Sequence, residues 1–213
     1  MISLKSSKVL EMLEDNRIEE LKAQLRDEIF TESLLGKADS RKRYSAMKRY
    51  LKTTSSAREI LTRPCPVEFE GKRYTAFCNS YSLALTTEDY GTLELCETPE
   101  AYPNVTKLIQ FYGNEEKIDL NRVIAEAKSQ GYKFKKSETL NNKYLMNYDG
   151  AYFRIALLDL TYGIIADGKE VTAHHMTGAR KPLTIQNDLG ICVIMPLFVN
   201  DELDEDVIVI DAV

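Results

Sequence analysis

Apolar residues recur at three- and four-residue spacing through Val9, Leu10, Leu13, Ile18, Leu21, Leu25 and Ile29, so residues 5 to 35 read as helix. Asp15-Asn16 divides that stretch into two pieces, and Gly36 is a C-terminal stop. Asp39 or Ser40 can cap a second helix to about Lys52, with Tyr44, Met47 and Leu51 on one face and Arg41, Lys48 and Lys52 on another. Ser55-Ser56 opens a short helix ending at Leu61, since Pro64 and Pro66 forbid continuation.

From Val67 the period changes to two. Val67 to Glu70, a turn at Gly71-Lys72, and Tyr74 to Thr86 read as a strand hairpin, with Asn79-Ser80 as a turn or bulge dividing the long run. Leu93 to Cys96 reads as a further strand after Asp89-Tyr90-Gly91, and Val105 to Phe111 as a strand or a short helical turn. Asp119 caps a helix through Gln130, with Leu120, Ile124 and Ala127 on one face and Gly131 ending it. Tyr132 to Tyr148 holds two candidate strands around Asn141-Asn142. Asp149-Gly150 then starts a helix from Ala151 to about Tyr162, with a strand as the alternative because Tyr152, Phe153, Ile155 and Thr161 favour extended backbone.

The most informative stretch is Lys169 to Phe198. Val171 and Ala173 alternate with polar neighbours as a half-buried strand does, as do Leu183 and Ile185, and Asn187, Asp188 and Gly190 supply a hairpin turn. From Ile191 to Phe198 both faces are apolar, so this strand is buried on both sides or lines a groove, and Pro196 belongs where pairing stops. Val207 to Ile210 can add one more strand. Helices alternating with strands in this order suit an α+β domain whose helices pack on one face of antiparallel sheets.

With 213 residues and 44% hydrophobic content the chain can bury a core in one domain plus an appendage. It has no apolar run of about 18 residues, and Glu11, Glu14 and Asp15 interrupt the N-terminal segment, so a soluble cytoplasmic protein without membrane contact is expected. Cys65, Cys78, Cys96 and Cys192 are too dispersed for a zinc site and read as reduced, buried thiols. His174-His175 point to opposite faces of a strand and cannot easily share one metal. There is no nucleophile elbow, phosphate loop or dinucleotide turn, so neither catalytic residues nor a cofactor or metal are nominated. Asp149, Asp159 and Asp167 are explained as caps and turn residues.

Several segments together resemble the bacterial DNA polymerase sliding clamp. Lys181-Pro182-Leu183-Thr184-Ile185, a turn and Val193-Ile194-Met195-Pro196-Leu197 look like that family's closing hairpin. Ala76 to Leu85 is similar to its Ala-Thr-Asp-Gly-His-Arg-Leu-Ala stretch, Tyr102-Pro103-Asn104 to its Phe-Pro-Asp, and Ala151 to Asp159 to its last helix. The resemblance covers about residues 66 to 198 and implies a DNA-clamp-like α+β domain at 64–213, built of pseudo-symmetric halves, behind a helical N-terminal extension at 1–63. It further implies an apolar pocket for short peptide motifs of replication proteins. Cys78, Ser80, Tyr81, Ser82 and Leu83 would form one wall, and Val193, Met195 and Pro196 the other. Asn79, Ser80, Tyr81 and Ser82 stand where the family has Asp, Gly, His and Arg.

Charge adds a second expectation. Lys37 to Arg63 holds nine bases and two acids, a surplus of seven that leaves −12 on the rest of a chain whose net charge is −5. Arg41, Lys42, Arg43, Lys48, Arg49 and Lys52 could neutralise phosphates of double-stranded DNA without reading sequence, or simply form a solvated basic face. The first expectation is therefore a non-enzymatic, clamp-like protein that binds DNA, peptide motifs of replication partners, or both, in the setting of a mobile element. The second is an interaction module of a phage or mobile element that keeps the fold without DNA binding. An enzyme would need a polar cleft with perturbed titratable groups. Oligomeric state is left open.

Overall fold

The computed structural model describes the chain apart from residues 1–5, 35–36, 54–55, 89–90, 112, 136–139, 176–180 and 199–202. The expected helix stop at Gly36, the helix start at Ser55 and the Asp89-Tyr90 turn lie outside the described residues. Helices α1 (Ser6–Glu14) and α2 (Ile18–Ser33) are separated where expected. Asn16 takes φ 55°, while the Arg17 and Asn16 amides bond back to Met12 and Leu13 carbonyls at 2.8 and 3.1 Å. This is a Schellman-type ending in which Asn replaces the usual Gly.

Helix α3 (Ala38–Leu51) is not peripheral. Its Tyr44, Met47 and Tyr50 are buried in the main core. The Tyr50 hydroxyl donates to the Ser82 carbonyl at 2.7 Å and accepts from the Asn79 amide at 3.0 Å. The expected boundary near residue 63 therefore does not coincide with a division of the core, because an amphipathic helix with three large apolar side chains needs a surface to bury them.

Seven strands form the larger sheet, in the order β1 (Cys65–Phe69), β2 (Lys72–Cys78), β3 (Ser82–Thr86), β9 (Gly190–Ile194), β8 (Leu183–Asn187), β7 (Val171–His175) and β4 (Asn114–Ile118), every pair antiparallel. A three-stranded sheet runs β10 (Ile208–Asp211), β5 (Tyr144–Tyr148), β6 (Ala151–Arg154), with β10 parallel to β5. The chain is thus a mixed α+β fold of mostly antiparallel strands. Its two sheets hold seven and three strands.

The expectation for Ala151 to Tyr162 divides in two. Asp149 (φ 51°) and Gly150 (φ 74°) form the two-residue turn of the β5–β6 hairpin, so residues 151–154 are strand and only Ile155–Tyr162 is helix, α5. Glu70 (φ 50°) and Gly71 (φ 73°) make the same kind of turn between β1 and β2, one residue earlier than expected. All eight α5 residues are buried, because the helix packs against α3, against β3 and β9 of the large sheet and against β5 and β6 of the small one. A helix with apolar residues on every side, interrupted only by Asp159 and Thr161, belongs in such a position. Each fully buried Leu, Ile or Phe here contributes about 1.5–3 kcal/mol of transfer free energy.

Helix α4 (Leu120–Ser129) has the expected cap, the Asp119 side chain accepting from the Arg122 amide at 3.0 Å. Leu93 to Cys96 is not a strand, having no ladder partner among the described residues; its Cys96 amide bonds instead to the Pro64 carbonyl at 2.8 Å. Val105–Leu108 takes the helical alternative as a 3-10 turn, and Ser56–Thr62 is likewise 3-10. The central approach of β3 and β9 demands glycine at 190, where a Cβ would come within 2.0 Å of the Leu85 carbonyl oxygen.

Candidate functional site

The two walls of the expected peptide pocket are neighbours: β3 and β9 pair with Leu83 opposite Val193 and Ser82 opposite Ile194. Among the described residues, most of both walls is covered. Cys78, Leu83 and Val193 are buried in a second core cluster covered by Leu61, Tyr102, Val105 and Ile109. Ser82 is buried too, its hydroxyl bonded to Tyr50 and Thr161, and Pro196 is buried. Strand β9 is thus apolar on both faces because both are covered, with Ile191 and Val193 in one cluster and Cys192 and Ile194 in the other. Ser80, Tyr81 (42% exposed) and Met195 (43%) reach the surface, and the Met195 amide bonds to the Tyr81 carbonyl at 3.0 Å.

The basic residues of α3 separate into three environments. Arg43 is buried, gripping Glu88 through two 2.6 Å hydrogen bonds, and it also donates to the Ala166 carbonyl at 3.1 Å. Its charge is spent inside the fold. Lys48 turns toward α2, at 2.8 Å from Asp27 Oδ2, and lies over the Tyr44 ring. Burial alone would raise the Asp27 carboxyl, but hydrogen bonds from Lys48 and Tyr44, with the nearby Lys52 charge, outweigh it and hold it below its ordinary value. Arg41, Lys42 and Arg49 face the other way.

These last three line a groove of about 760 Å³ between α3 and α5, with Lys128 from the end of α4. Close approach of the two helices is helped by glycine at 163, since a Cβ there would lie 3.1 Å from Ala46 Cβ on α3. At the groove floor sits Asp159, nearly buried on α5. Arg49 Nη1 lies 3.7 Å and Lys128 Nζ 3.9 Å from its carboxylate, and Tyr132 donates to Oδ2 at 3.3 Å. Burial first, and then the Asp159 carboxylate, push the Tyr132 phenol well above its usual value, so it remains a donor. Arg49 Nη2 also donates to the Asp159 backbone carbonyl at 3.2 Å, while the guanidinium lies 4.5 Å from the Phe134 ring centroid. Its Nε is buried without a hydrogen-bond partner among the described residues.

Local structure delivers Tyr132 and Phe134 to this place. Gly131 (φ 96°) ends α4 in a Schellman motif, the Tyr132 amide bonding to the Ala127 carbonyl at 2.9 Å and the Gly131 amide to that of Lys128 at 3.1 Å. The chain then turns back toward α5. Beyond this ridge a smaller pocket of about 360 Å³ has Tyr132, Lys133, Lys135, Lys143, Tyr144 and Ala156 among its described lining residues.

Two of these cations, Arg49 and Lys128, share the Asp159 carboxylate, while Lys42 pairs with Asp39 at 3.2 Å on the exposed side of α3 and Arg41 lines the same groove, so the surface is suited to contacting anionic oxygens. Among the described residues no group of three or more His, Cys, Asp or Glu could hold a metal ion. His174 packs against Phe111, and His175 against Tyr148 and Phe153. No described helix is long and apolar enough to cross a membrane. Lys128, Lys133 and Lys143 were not singled out by sequence reasoning, although Lys133-Phe134-Lys135 directly after a helix-ending glycine is a visible basic and aromatic cluster, and Asp159, expected as a cap or turn residue, instead lies inside α5. Comparison with protein-family models, curated proteins and solved structures gives no match.

Proposed function

We propose that this protein works by binding rather than catalysis, holding double-stranded DNA through its phosphate backbone along the groove between α3 and α5. The observation that carries this reading is the convergence of Arg41, Lys42, Arg49 and Lys128 on one groove of a chain with net charge −5. Locally concentrated cations on an acidic protein steer a polyanion to one face while the remaining surface repels it. Arg41 and Lys42 are exposed, Lys42 in a solvent-facing pair with Asp39 at 3.2 Å, and Arg49 is oriented by Phe134 and Asp159, so the last offers a positioned fork and the first two offer surface charge. The four thiols are free, which suits a reducing compartment such as the cytoplasm. Replication of a mobile element is the setting suggested by the clamp resemblance; encirclement of DNA forms no part of the proposal.

Anisotropy of a fluorescein-labelled duplex across a salt series tests it. About four phosphate contacts give a log–log slope of roughly −3.6, so raising salt from about 50 to 200 mM should weaken binding about 150-fold. Arg41→Glu with Lys42→Glu should abolish binding at the lower salt while leaving the melting temperature unchanged. Absence of duplex binding by the unaltered protein at low salt would sink the proposal.

A second reading has its own observation. Tyr81 and Met195 are exposed side by side at the ends of β3 and β9, an adaptable apolar contact for a short peptide. Peptides selected from a random library on the intact protein should lose binding to Met195→Asp. Retention by that variant would exclude this surface.

A further inference from the structure

Cys65 and Cys96 are far apart in the chain, and the fold brings them together in the second core cluster. Three contacts hold residues 94–97 against residues 63–65. The Cys96 amide donates to the Pro64 carbonyl at 2.8 Å, and on either side of it Glu94 and Glu97 pair with the one Arg63 guanidinium at 3.4 and 2.7 Å. An amide bonded to the carbonyl just before Cys65 sets the two Cα atoms at about the 4.4–6.8 Å that a disulfide spans. The thiols themselves meet: burial first, and then the neighbouring Cys96 through its charge and a hydrogen bond, push Cys65 up to about 11. Cys78 shares the cluster but is a poorer partner. Cys65 stands opposite Ala76 in the β1–β2 ladder, so Cys78 is at best its diagonal neighbour, about 7–8 Å away and out of disulfide reach without backbone movement. Cys192 belongs to the main core cluster.

We infer that Cys65 and Cys96 are an oxidation site, a thiol pair that hydrogen peroxide converts to a disulfide tying β1 to the 93–98 segment. Cys65 is 1% exposed and Cys96 8%, the latter between exposed Leu95 and Glu97 outside any helix or strand, so the oxidant reaches Cys96 first. The Cys96 sulfur attacks one peroxide oxygen; the S–O bond forms, the O–O bond breaks, and the hydroxide released takes up the thiol proton as water. The Cys65 sulfur then attacks Cys96 Sγ; the S–S bond forms, the S–O bond breaks, and the hydroxide leaves with the Cys65 proton as a second water. The two thiols together give up two electrons and two hydrogens, and peroxide is reduced to water. Cys65 gives up only a weak bond from its thiol to the Pro66 carbonyl at 3.5 Å. The segment so tied runs between the two cores: Thr92 hydrogen-bonds the Tyr44 hydroxyl at 2.7 Å and Leu93 packs on the main cluster, whereas Cys96 lies in the second. The disulfide therefore latches this crossing to β1 covalently. Nothing in it depends on the nucleic-acid reading above.

The test is to treat the reduced, folded protein with hydrogen peroxide, then count thiols in urea and map linkages by mass spectrometry of a digest made without reductant. The protein should lose two of its four thiols and yield one linked pair of peptides, carrying Cys65 and Cys96, lighter than their sum by two hydrogens. Closing a loop of this length should raise the melting temperature by about 5–10 °C, and dithiothreitol should reverse the rise. Cys96→Ala should abolish both the linkage and the rise, and Cys78→Ala should keep both. The unaltered protein supplies a check that needs no variant to fold: oxidised in urea, where the Arg63 and Pro64 contacts are gone, it should scatter its pairings among the cysteines. Persistence of all four thiols overturns the inference, as does conversion of Cys96 to its sulfinic acid without a link. A native linkage to Cys78 or Cys192, or the same Cys65–Cys96 selectivity in urea, overturns it equally.

Discussion

Tyr50→Phe tests whether the N-terminal helices belong to the same cooperative unit as the sheets. The ring would stay in its buried site, packed edge-on against Phe77 with centroids 6.2 Å apart, so transfer and packing terms change little. What is lost is the hydroxyl that links α3 to the β2–β3 turn through the Ser82 carbonyl at 2.7 Å and the Asn79 amide at 3.0 Å. The two backbone groups keep their bond to each other, Asn79 N–H to Ser82 C=O at 3.0 Å, so neither is left wholly unpaired. Two hydrogen bonds at about 1 kcal/mol each give a loss of about 2 kcal/mol, or roughly 4–8 °C in melting temperature for a chain of this size. With no tryptophan in the sequence, tyrosine fluorescence and far-ultraviolet circular dichroism are the two probes for urea unfolding. Both should shift together in one transition. A loss below about 0.5 kcal/mol, or an early helical transition with the sheet signal intact, would refute the reasoning and restore a separate helical extension.

Gly190→Ala should be among the most damaging single methyl additions, because the new Cβ would collide with the Leu85 backbone rather than with a side chain able to move; a loss above about 3 kcal/mol, or insoluble protein, is expected in expression and thermal-melt assays. The Asp27 carboxyl titrates below its ordinary value, so its stabilising effect is present above about pH 5 and disappears as pH falls through and below about 4. The melting-temperature difference between the unaltered protein and Asp27→Asn should therefore shrink from pH 7 to pH 3, and a constant difference would contradict the assignment. Burial pushes the Cys65 and Cys78 thiols up to about 11 and raises Cys192 further, so a chromogenic disulfide reagent at pH 8 should titrate these three only slowly in the native protein and all four cysteines in urea.

The local punctuation of the fold was legible in the chain. The break at Asp15-Asn16, the β2–β3 division at Asn79-Ser80, the Asp119 cap and Gly131 stop of α4, the β8–β9 hairpin and the β10 strand all follow from residues that dictate their own backbone geometry. Where Ala151 to Tyr162 was uncertain, extended and helical preferences were both present, and the structure uses both in succession. The candidate site was legible only in part. Arg41, Lys42 and Arg49 were named on the right helix, but so were Arg43, Lys48 and Lys52, which serve Glu88 and the Asp27 neighbourhood.

Sequence by itself determined many of the element types, several caps and turns, the α+β class and the presence of an amphipathic basic helix, but not β4 or the strand at Ala151–Arg154. Tertiary structure alone decided that this helix is part of the core and that its charges divide between an internal ion pair, the α2 side and a groove. It also decided that Lys128 joins Arg41, Lys42 and Arg49 in that groove, and that Tyr102, Val105 and Ile109 cover Cys78 and Val193. The physical reason is range. Backbone dihedrals and hydrophobic period are encoded by neighbours a few residues apart, whereas the partner of a charge and the cover of an apolar face come from residues far away in the chain, such as Arg43 with Glu88 or Arg49 with Asp159.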